Sequence, residues 1–370
     1  MDSGRKNTHS LVAVALTAVL ALVASSCGSS TTATSKPKLI VGGIHVGSIK
    51  DAGYNEAQHD GLMYLQSHVA GVKVIEAENV PEGPGVQPVM ENMIGQGATL
   101  IFPQSFGYQD FALNVAQSHP TVTFEHPAGY KSAANFGTYW AASDQLNYAL
   151  GAAAAKMSKS GKIGFVGSMP IPQVIASINA FHLGARSVNA NITTTVIFNG
   201  TWLDPGKEAA ATNTLADQGI DVVACLVDSP ITVVQTAEQR HIYAIGYHSA
   251  AAATFAPNYW VSGVDFNWGP MFVQMATGVI DGTWKAQNNI APLTSDVARL
   301  APFGKNVPPD VQNAVNKVVT DFKSGTIKSP YTGPVYDQNG QLRIKPGEVP
   351  DYTFANNVDW FAQGIIGQPK

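Results

Sequence analysis

Aromatic and acidic residues follow several apolar runs of the chain, and their types suit the recognition of a flat polar ring. Tyr54, Phe106 and Trp202 stand in short segments after such runs, and Asp228 ends another. An aromatic side chain can stack on a heterocycle. A carboxylate can accept a charge-assisted hydrogen bond from an amine or a ring N–H. The combination predicts a site for a flat ring that carries N–H groups.

Four more residues stand at similar strand ends, and each also has an ordinary structural role open to it. These are Asn55, Glu125, Asp265 and Trp268. Asn55 can cap the helix that follows it, and Glu125 can close a hydrogen-bonded turn. Trp268 can be a platform for a ring or a plug in a hinge. Asp228, which precedes Ser229 and Pro230, can also cap a helix instead of binding a ligand.

The motifs of common enzymes and metal sites do not occur in the sequence. It contains no G-x-S-x-G elbow, no H-E-x-x-H pair and no phosphate-binding G-x-x-x-x-G-K-[ST] loop. Its two cysteines, Cys27 and Cys225, exclude a C-x-x-C site. The histidines show no metal-ligand spacing, although His45 and His59 could approach each other. We therefore expect no catalytic residue, no metal and no cofactor, and we expect Cys225 to be a buried free thiol.

Composition indicates a folded, acidic protein of about two domains. Of the 370 residues, 45% are hydrophobic and 13% are charged, which excludes a disordered chain. The net charge is −4 and no cluster of Lys and Arg follows the first residues. A nucleic-acid partner would require a basic stripe, so none is expected.

The N-terminus is typical of an exported lipoprotein. Arg5 and Lys6 precede an apolar run over 11–23, which is shorter than the roughly 20 residues that a membrane-spanning helix needs. Small residues then lead to Cys27, in a pattern that resembles a bacterial lipobox. We predict a signal peptide over 1–26, lipidation of Cys27 and a flexible tether over 27–37. The alternative is a secretory signal cut near Ala24, with Cys27 as an unmodified thiol.

Two similar series of strands position the candidate residues. Apolar runs alternate with helical segments, and the intervals between runs are nearly the same in both halves, which predicts two lobes with parallel sheets covered by helices. The runs begin near residues 38, 72, 98, 120 and 134, and again near 161, 193, 221, 242 and 259. Helices are expected over 55–69, 86–95, 108–119, 141–158 and 310–325, with a hairpin around Asn339 and Gly340.

The predicted lobes divide the chain discontinuously. The first comprises 38–140 plus about 260–300, and the second comprises 141–259 plus about 301–370. The lobes would close about a hinge near residues 138–146, 256–265 and 300. Ligands of open α/β sheets bind beyond the carboxyl ends of the strands. Those ends would line one cleft between the lobes.

Several segments together resemble the basic membrane protein family, the purine nucleoside receptor-like lipoproteins of ABC importers. The resemblance extends over nearly all of 38–367. It is carried by Gly53–Gly61, Glu78–Gly83, Ser105–Gly107, Phe124–His126, Pro170–Pro172, Ile178–Phe181, Leu183–Ser187, Trp202–Glu208, Asp228–Pro230, Asn267–Pro270 and Gly282–Lys285.

The resemblance implies a type I periplasmic-binding fold with three crossovers between two α/β lobes. It implies a purine base or nucleoside, with adenine-like ligands favoured, held by Tyr54, Phe106, Trp202, Asp228, Asp265 and Trp268, with Asn55 and Glu125 contributing less. It also implies delivery to an ABC permease by a monomer that is lipid-anchored on the extracytoplasmic face of a bacterial membrane.

Two other classes of function stay open at this point. A sugar could also stack on tryptophan and bond to aspartate, which leaves a sugar receptor or a sensor lipoprotein as an alternative. An exported nucleoside-acting enzyme would need a nucleophile or a metal motif, and the sequence has neither. An amino-acid ligand would need a cation opposite its carboxylate, and no Arg or Lys stands at these strand ends.

Overall fold

The two predicted strand series form two sheets, one in each lobe. A computed structural model describes residues 37–369. The predicted signal peptide over 1–26, Cys27 and the tether up to residue 36 lie outside the described residues. In the described part, each of the ten predicted strands begins within three residues of its expected start. The prediction of two parallel-sheet lobes flanked by helices is confirmed.

The first lobe alternates strands and helices from the start of the described chain. Its strands are β1 (Leu39–His45), β2 (Val72–Ala77), β3 (Leu100–Gln104), β4 (Thr123–Pro127) and β5 (Phe136–Ala141). Its helices are α1 (Tyr54–His68), α2 (Val86–Gly95) and α3 (Gln109–Ser118). The central strands β1 and β3 are mostly apolar because helices cover both faces of a parallel sheet, whereas the edge strand β2 is only half-buried.

The second lobe repeats this pattern. Its strands are β6 (Lys162–Gly167), β7 (Thr193–Phe198), β8 (Val222–Leu226), β9 (Tyr243–Gly246) and β10 (Trp260–Phe266). Its helices are α4 (Ser143–Met157), α5 (Pro172–Val188), α6 (Pro205–Asp217) and α7 (Ile231–Gln239). Asp204 caps α6 by accepting from the Lys207 N–H at 3.0 Å, with Pro205 in the first turn.

The C-terminal third of the chain supplies one edge strand of the first sheet and both edge strands of the second. It contains α8 (Gly269–Ile280), β11 (Asn288–Ala291), β12 (Ala298–Leu300), α9 (Pro309–Lys323), β13 (Val335–Tyr336), β14 (Leu342–Ile344) and β15 (Ile365–Ile366). In residues 37–369 the first sheet has the order β11-β5-β4-β3-β1-β2, and the second has the order β12-β10-β9-β8-β6-β7-β15. All neighbours are parallel except β10 and β12, which are antiparallel. β13 and β14 form the predicted hairpin.

The chain crosses between the sheets at three places. It leaves β5 for α4 at Ala142, leaves β10 for α8 at 267–268, and passes from β11 to β12 through 292–297. The predicted division assigned 260–300 to the first lobe as one block. The sheets divide this stretch differently, because β10 continues the second sheet beside β9 while β11 pairs with β5. The second crossing therefore follows the predicted hinge segment 256–265 rather than lying inside it.

A close helix pair forms part of the second lobe's core. A Cβ atom on Gly151 of α4 would overlap the carbonyl oxygen of Phe181, and one on Gly184 of α5 would overlap that of Tyr148. The two glycines therefore allow the helix backbones to touch. Cys225 lies buried in β8 as a free thiol, as predicted. Within residues 37–369 no helix has the length and apolar character to cross a bilayer.

Candidate functional site

A cavity lies between the lobes at the carboxyl ends of the strands. It encloses about 660 Å³ of space between protein atoms, counted to its open mouth. Small-molecule sites of two-lobed α/β proteins lie in clefts of this kind, lined mainly by apolar and aromatic side chains with a few polar groups. The first lobe contributes Tyr54, Ser105, Phe106, Pro127, Ala128 and Trp140 to its wall. The rest of the wall comprises Asp144, Ile171, Gln173, Val174, Ser177, Trp202, Leu226, Asp228, Tyr247, His248 and Ala355.

Asp228 supplies an acidic group to the wall. It lies two residues after the end of β8 and is 6% exposed. Helix α7 begins after Pro230 without a side-chain cap, so the Asp228 carboxylate is not used as one. Within residues 37–369 no donor reaches that carboxylate. Burial raises its pKa well above the usual range, and the nearby charges of Asp51 and Glu82 add to the effect. A ligand N–H would satisfy this group.

Aromatic rings from both lobes surround the cavity. The rings of Tyr54 and His248 meet edge to face, with centroids 5.1 Å apart. Phe106 and Trp202 come from opposite lobes, and their centroids are 6.4 Å apart with the planes inclined by 59°. Burial lowers the pKa of His248 to about 3, so this imidazole is neutral. The walls can therefore contact the faces and edges of a planar ring.

A second acidic group, Asp144, lies in the first turn of α4. Its carboxylate accepts from Ser177 Oγ at 2.8 Å and from Tyr331 Oη at 2.7 Å. Burial raises its pKa, and these hydrogen bonds oppose the rise. Gln173, in the first turn of α5, has a buried side-chain oxygen with no partner among the described residues. This part of the wall can bond to polar substituents of a ligand.

The lobes touch each other beside Asp228. The backbone N–H of Tyr54 donates to the Asp228 carbonyl at 2.7 Å, and Ser229 Oγ donates to the Asp51 carbonyl at 2.7 Å. A Cβ atom on Gly53 would overlap that same Asp228 oxygen. The N-terminus of α1 thus rests directly on the segment that carries the acidic group. The arrangement is that of a closed cleft.

Four predicted residues come together at this cavity. Tyr54, Phe106, Trp202 and Asp228 all contribute to its wall. They reach it from four strand ends in two lobes, which is the arrangement that the strand-end rule predicts. Their part in binding stays a prediction, because their placement alone does not test it.

The other four predicted residues lie outside the cavity wall. Asn55 is fully buried, with Oδ1 accepting from Gly47 N and Nδ2 donating to Asp51. It does not cap α1; the Asp51 carboxylate accepts the N–H groups of Gly53, Asn55 and Glu56 instead.

Glu125 and Asp265 are each bound to protein groups rather than facing the cavity. Glu125 accepts from Trp284 Nε1 at 2.7 Å, and burial raises its pKa to about 7. Asp265 accepts from Arg299 Nε at 2.7 Å and from Ala250 N at 2.9 Å. Both carboxylates therefore have structural partners.

Trp268 is a core residue behind the cavity wall. It is 1% exposed and stacks on Phe266 with centroids 4.8 Å apart. The ring of Trp140 packs beside it, with the centroids of the two indoles 5.5 Å apart. Trp140 lines the cavity and Trp268 does not. Of the two alternatives considered for Trp268, this position corresponds to the plug at a crossover.

Sequence reasoning missed Trp140, Asp144, Tyr247 and His248. Tyr247 and His248 directly follow β9, so the strand-end rule that selected Asp228 could have selected them. Trp140 and Asp144 flank the first crossover, where nothing in the sequence shows which side chains turn inwards. The predicted approach of His45 and His59 is real: Glu76 Oε1 bridges them at 2.7 and 3.0 Å. Within residues 37–369 no group of metal-binding side chains is assembled.

Comparison with known proteins places the chain among transport receptors. A model of the PnrA-like ABC transporter substrate-binding proteins matches residues 38–332. A purine-binding protein of Brucella abortus is 38% identical over 335 residues, covering 90% of this chain and 94% of the relative. A protein of Haloferax volcanii, provisionally named an ABC transporter glucose-binding protein, is 30% identical and covers 74% of this chain and 69% of the relative.

Solved structures agree with the fold. A solute-binding protein of an ABC transporter from Conexibacter woesei superposes with a TM-score of 0.63 at 22% identity, covering 78% of this chain and 97% of that one. One from Aeropyrum pernix gives 0.66 at 15% identity, covering 85% and 95%. Both structures are solute-binding proteins of ABC transporters, and their similarity confirms the predicted periplasmic-binding fold.

Proposed function

We propose that this chain captures a purine in the cavity between its lobes and delivers it to an ABC permease. The basis is that the chain belongs to the PnrA-like family of ABC transporter substrate-binding proteins. This family consists of binding proteins rather than enzymes, as the sequence predicted. Adenine is the favoured ligand, and nucleosides remain in the test set.

The observation that carries the proposal is the partnerless carboxylate of Asp228 among aromatic rings. It needs N–H donors in order to stay ionised in a buried site, and a purine presents them on a ring that can stack. Tyr54, Phe106 and Trp202 offer the ring surfaces. The purine-binding relative supports the same ligand class. No Lys or Arg within residues 37–369 lines the cavity, which disfavours a free amino acid or a phosphorylated nucleotide.

Calorimetry tests the ligand class. Purified protein, unfolded and refolded to remove any bound compound, is titrated with adenine, hypoxanthine, adenosine, guanosine and glucose. Binding of at least one purine, with no heat from glucose, is the expected result. Heat from glucose alone would refute the proposal and favour the sugar-receptor alternative, to which the Haloferax relative gives some weight.

We also propose that Cys27 carries the lipid that holds the protein on the extracytoplasmic face of the membrane. The support is the short apolar run before a small-residue segment and Cys27. One acyl chain binds a membrane only marginally, so more than one is expected. In fractionated cells, Cys27→Ala should release the protein or stall its processing. A variant that matures normally and stays on the membrane would contradict the anchor.

A further inference from the structure

One carboxylate oxygen outside the predicted site joins the two lobes at the cavity mouth. Glu82 lies in the loop between β2 and α2. Its Oε1 accepts from Ser105 Oγ at 2.5 Å and from Gly107 N at 2.8 Å, both in the first lobe. The same oxygen accepts from Trp202 Nε1 of the second lobe at 3.0 Å. Three donors converging on one oxygen suit an ionised acceptor.

These bonds fix two rings at once. Ser105 and Gly107 flank Phe106, so Glu82 holds the short segment that presents the Phe106 ring. The bond to the indole holds the Trp202 ring against it, 6.4 Å away between centroids. Both rings line the cavity. Glu82 itself is absent from the cavity wall and is exposed on its outer side.

We infer that Glu82 is a positioning residue that latches the mouth shut and lengthens the residence of the ligand without touching it. The bond to Trp202 forms only when the lobes meet, whereas the bonds to Ser105 and Gly107 exist within the first lobe alone. Losing the latch should therefore accelerate release more than it slows capture. This inference rests on the proposed capture of a ligand in the cavity.

A second effect of Glu82 must be separated from the latch. Its negative charge contributes to the raised pKa of Asp228, so its removal alters the acidic group as well. That electrostatic effect is the same whether or not position 202 carries an indole N–H. A double-mutant cycle between Glu82 and Trp202 therefore isolates the latch.

The experiment measures adenine dissociation by stopped-flow mixing in wild type, Glu82→Ala, Trp202→Phe and the double variant. Glu78→Ala is the matched control, because Glu78 lies in the same loop and, among residues 37–369, accepts a hydrogen bond only from Ile49 N of its own lobe. Glu82→Ala should raise the dissociation rate about fivefold in the wild-type background, as expected for one exposed charged bond. In the Trp202→Phe background it should change the rate less than twofold. Equal effects in both backgrounds would overturn the latch.

A ligand-free measurement separates failure of the latch from failure of the proposed ligand. Spin labels are attached to Asn114→Cys in α3 and Gln235→Cys in α7, in a chain with Cys27 and Cys225 replaced by serine. Pulsed electron paramagnetic resonance then measures the distance between the two lobes. If no purine binds the wild-type protein, the proposed function fails. The distance between the two spin labels then tests by itself whether Glu82 holds the lobes together. Loss of the short-distance population in Glu82→Ala, but not in Glu78→Ala, supports the latch. Identical distributions in Glu82→Ala and wild type overturn it.

Discussion

Asp228 differs from Asp51, Asp204 and Asp265 because no donor among residues 37–369 reaches its carboxylate. Asp204 caps α6 and Asp51 caps α1, while Asp265 pairs with Arg299. Each of those carboxylates has hydrogen-bond donors or a cation as a partner. Asp228 is buried without any of these, so ionisation is unfavourable until a ligand supplies donors.

Asp228→Asn should weaken adenine binding by about tenfold to a hundredfold, as loss of a buried charge-assisted bond predicts. The substitution should also change the number of protons that the protein releases when the ligand binds. The raised pKa means that the free closed form keeps its proton, and a donating ligand favours the ionised form. Binding therefore releases a proton below that raised pKa, and affinity rises with pH until the pKa is passed.

Calorimetric titration with adenine in two buffers that differ in their heat of ionisation measures the number of protons released on binding. Wild type should release protons in mildly acidic solution, and Asp228→Asn should not. Asp144, whose pKa is also raised, is the other candidate source in the wall, and Asp144→Asn serves as the comparison. Unchanged proton release in Asp228→Asn would show that the ligand does not donate to this carboxylate.

Glu125 provides a separate prediction about stability. Burial raises its pKa to about 7 from an ordinary value of 4.5. The folded state therefore retains a proton that the unfolded state loses, so stability falls as pH rises from about 4.5 to 7 and then levels off. Glu125→Gln should stabilise the protein at pH 8 by an amount on the order of 3 kcal/mol, with little effect at pH 4.

Urea unfolding at the two pH values tests this. Asp281→Asn, at an exposed aspartate directly after α8 with no side-chain partner among residues 37–369, is the control and should have the same small effect at both. A Glu125→Gln protein whose stability gain is equal at pH 4 and pH 8 would show that the native carboxyl ionises normally.

Side-chain direction explains why only half of the predicted site residues reach the cavity. Tyr54 and Asn55 are neighbours after β1, yet the Tyr54 ring meets His248 in the cavity while Asn55 turns back to Gly47. The strand-end rule fixes where a residue lies along the sheet and leaves its direction undetermined. Direction depends on local partners, such as Trp284 for Glu125, which come from distant segments of the chain.

At the level of elements, the central strands could be predicted because they are long apolar runs between turn residues. The edge strands could not. β11, β12 and β15 contain two to four residues each, too few to show a period, and only pairing with a neighbour makes them strands. The mixed membership of 260–300 has a different cause, since the seven-residue strand β10 joins the second sheet by pairing with β9, whereas β11 joins the first sheet by pairing with β5.

The close contact of α4 and α5 gives a prediction at this level. Ala at position 151 or 184 would place a methyl group against a carbonyl oxygen of the facing helix. The gain in helix propensity from Gly→Ala, about 1 kcal/mol, should be outweighed by the separation of two buried helices, so Gly151→Ala and Gly184→Ala should lower the melting temperature.

Gly95→Ala is the matched control, because Gly95 belongs to α2 and a Cβ there would meet nothing within 4 Å. It should leave the melting temperature unchanged or raise it. Differential scanning calorimetry compares the three variants. If Gly151→Ala and Gly184→Ala melt like Gly95→Ala, the helices are not in backbone contact.

At the scale of the whole molecule, the closed cleft brings acidic residues of the first lobe close to Asp228 of the second. The charges of Asp51 and Glu82, both in the first lobe, raise the pKa of Asp228. Closing the lobes without a ligand therefore opposes ionisation of Asp228, and this cost grows as pH rises. A ligand with N–H donors offsets it, which couples occupancy of the cavity to closure of the lobes.

Gly53→Ala tests closure without altering the cavity wall. The added methyl group would overlap the Asp228 carbonyl oxygen, which belongs to the other lobe. It would also separate the Tyr54 N–H from that oxygen. The open form has no such overlap, so both lobes should still fold. Adenine affinity should fall by about tenfold or more, which is at least 1.4 kcal/mol, and small-angle scattering should show no compaction on adding adenine.

Gly85→Ala is the control for this experiment, since Gly85 lies in the same lobe, has an ordinary helical conformation and would meet nothing within 4 Å. Circular dichroism and urea unfolding establish that both variants fold. If folded Gly53→Ala binds adenine and compacts as well as Gly85→Ala does, the contact between α1 and the Asp228 segment is not part of the ligand-bound state. Loss of compaction in Gly53→Ala alone means that the lobes close by docking α1 onto the segment that carries Asp228.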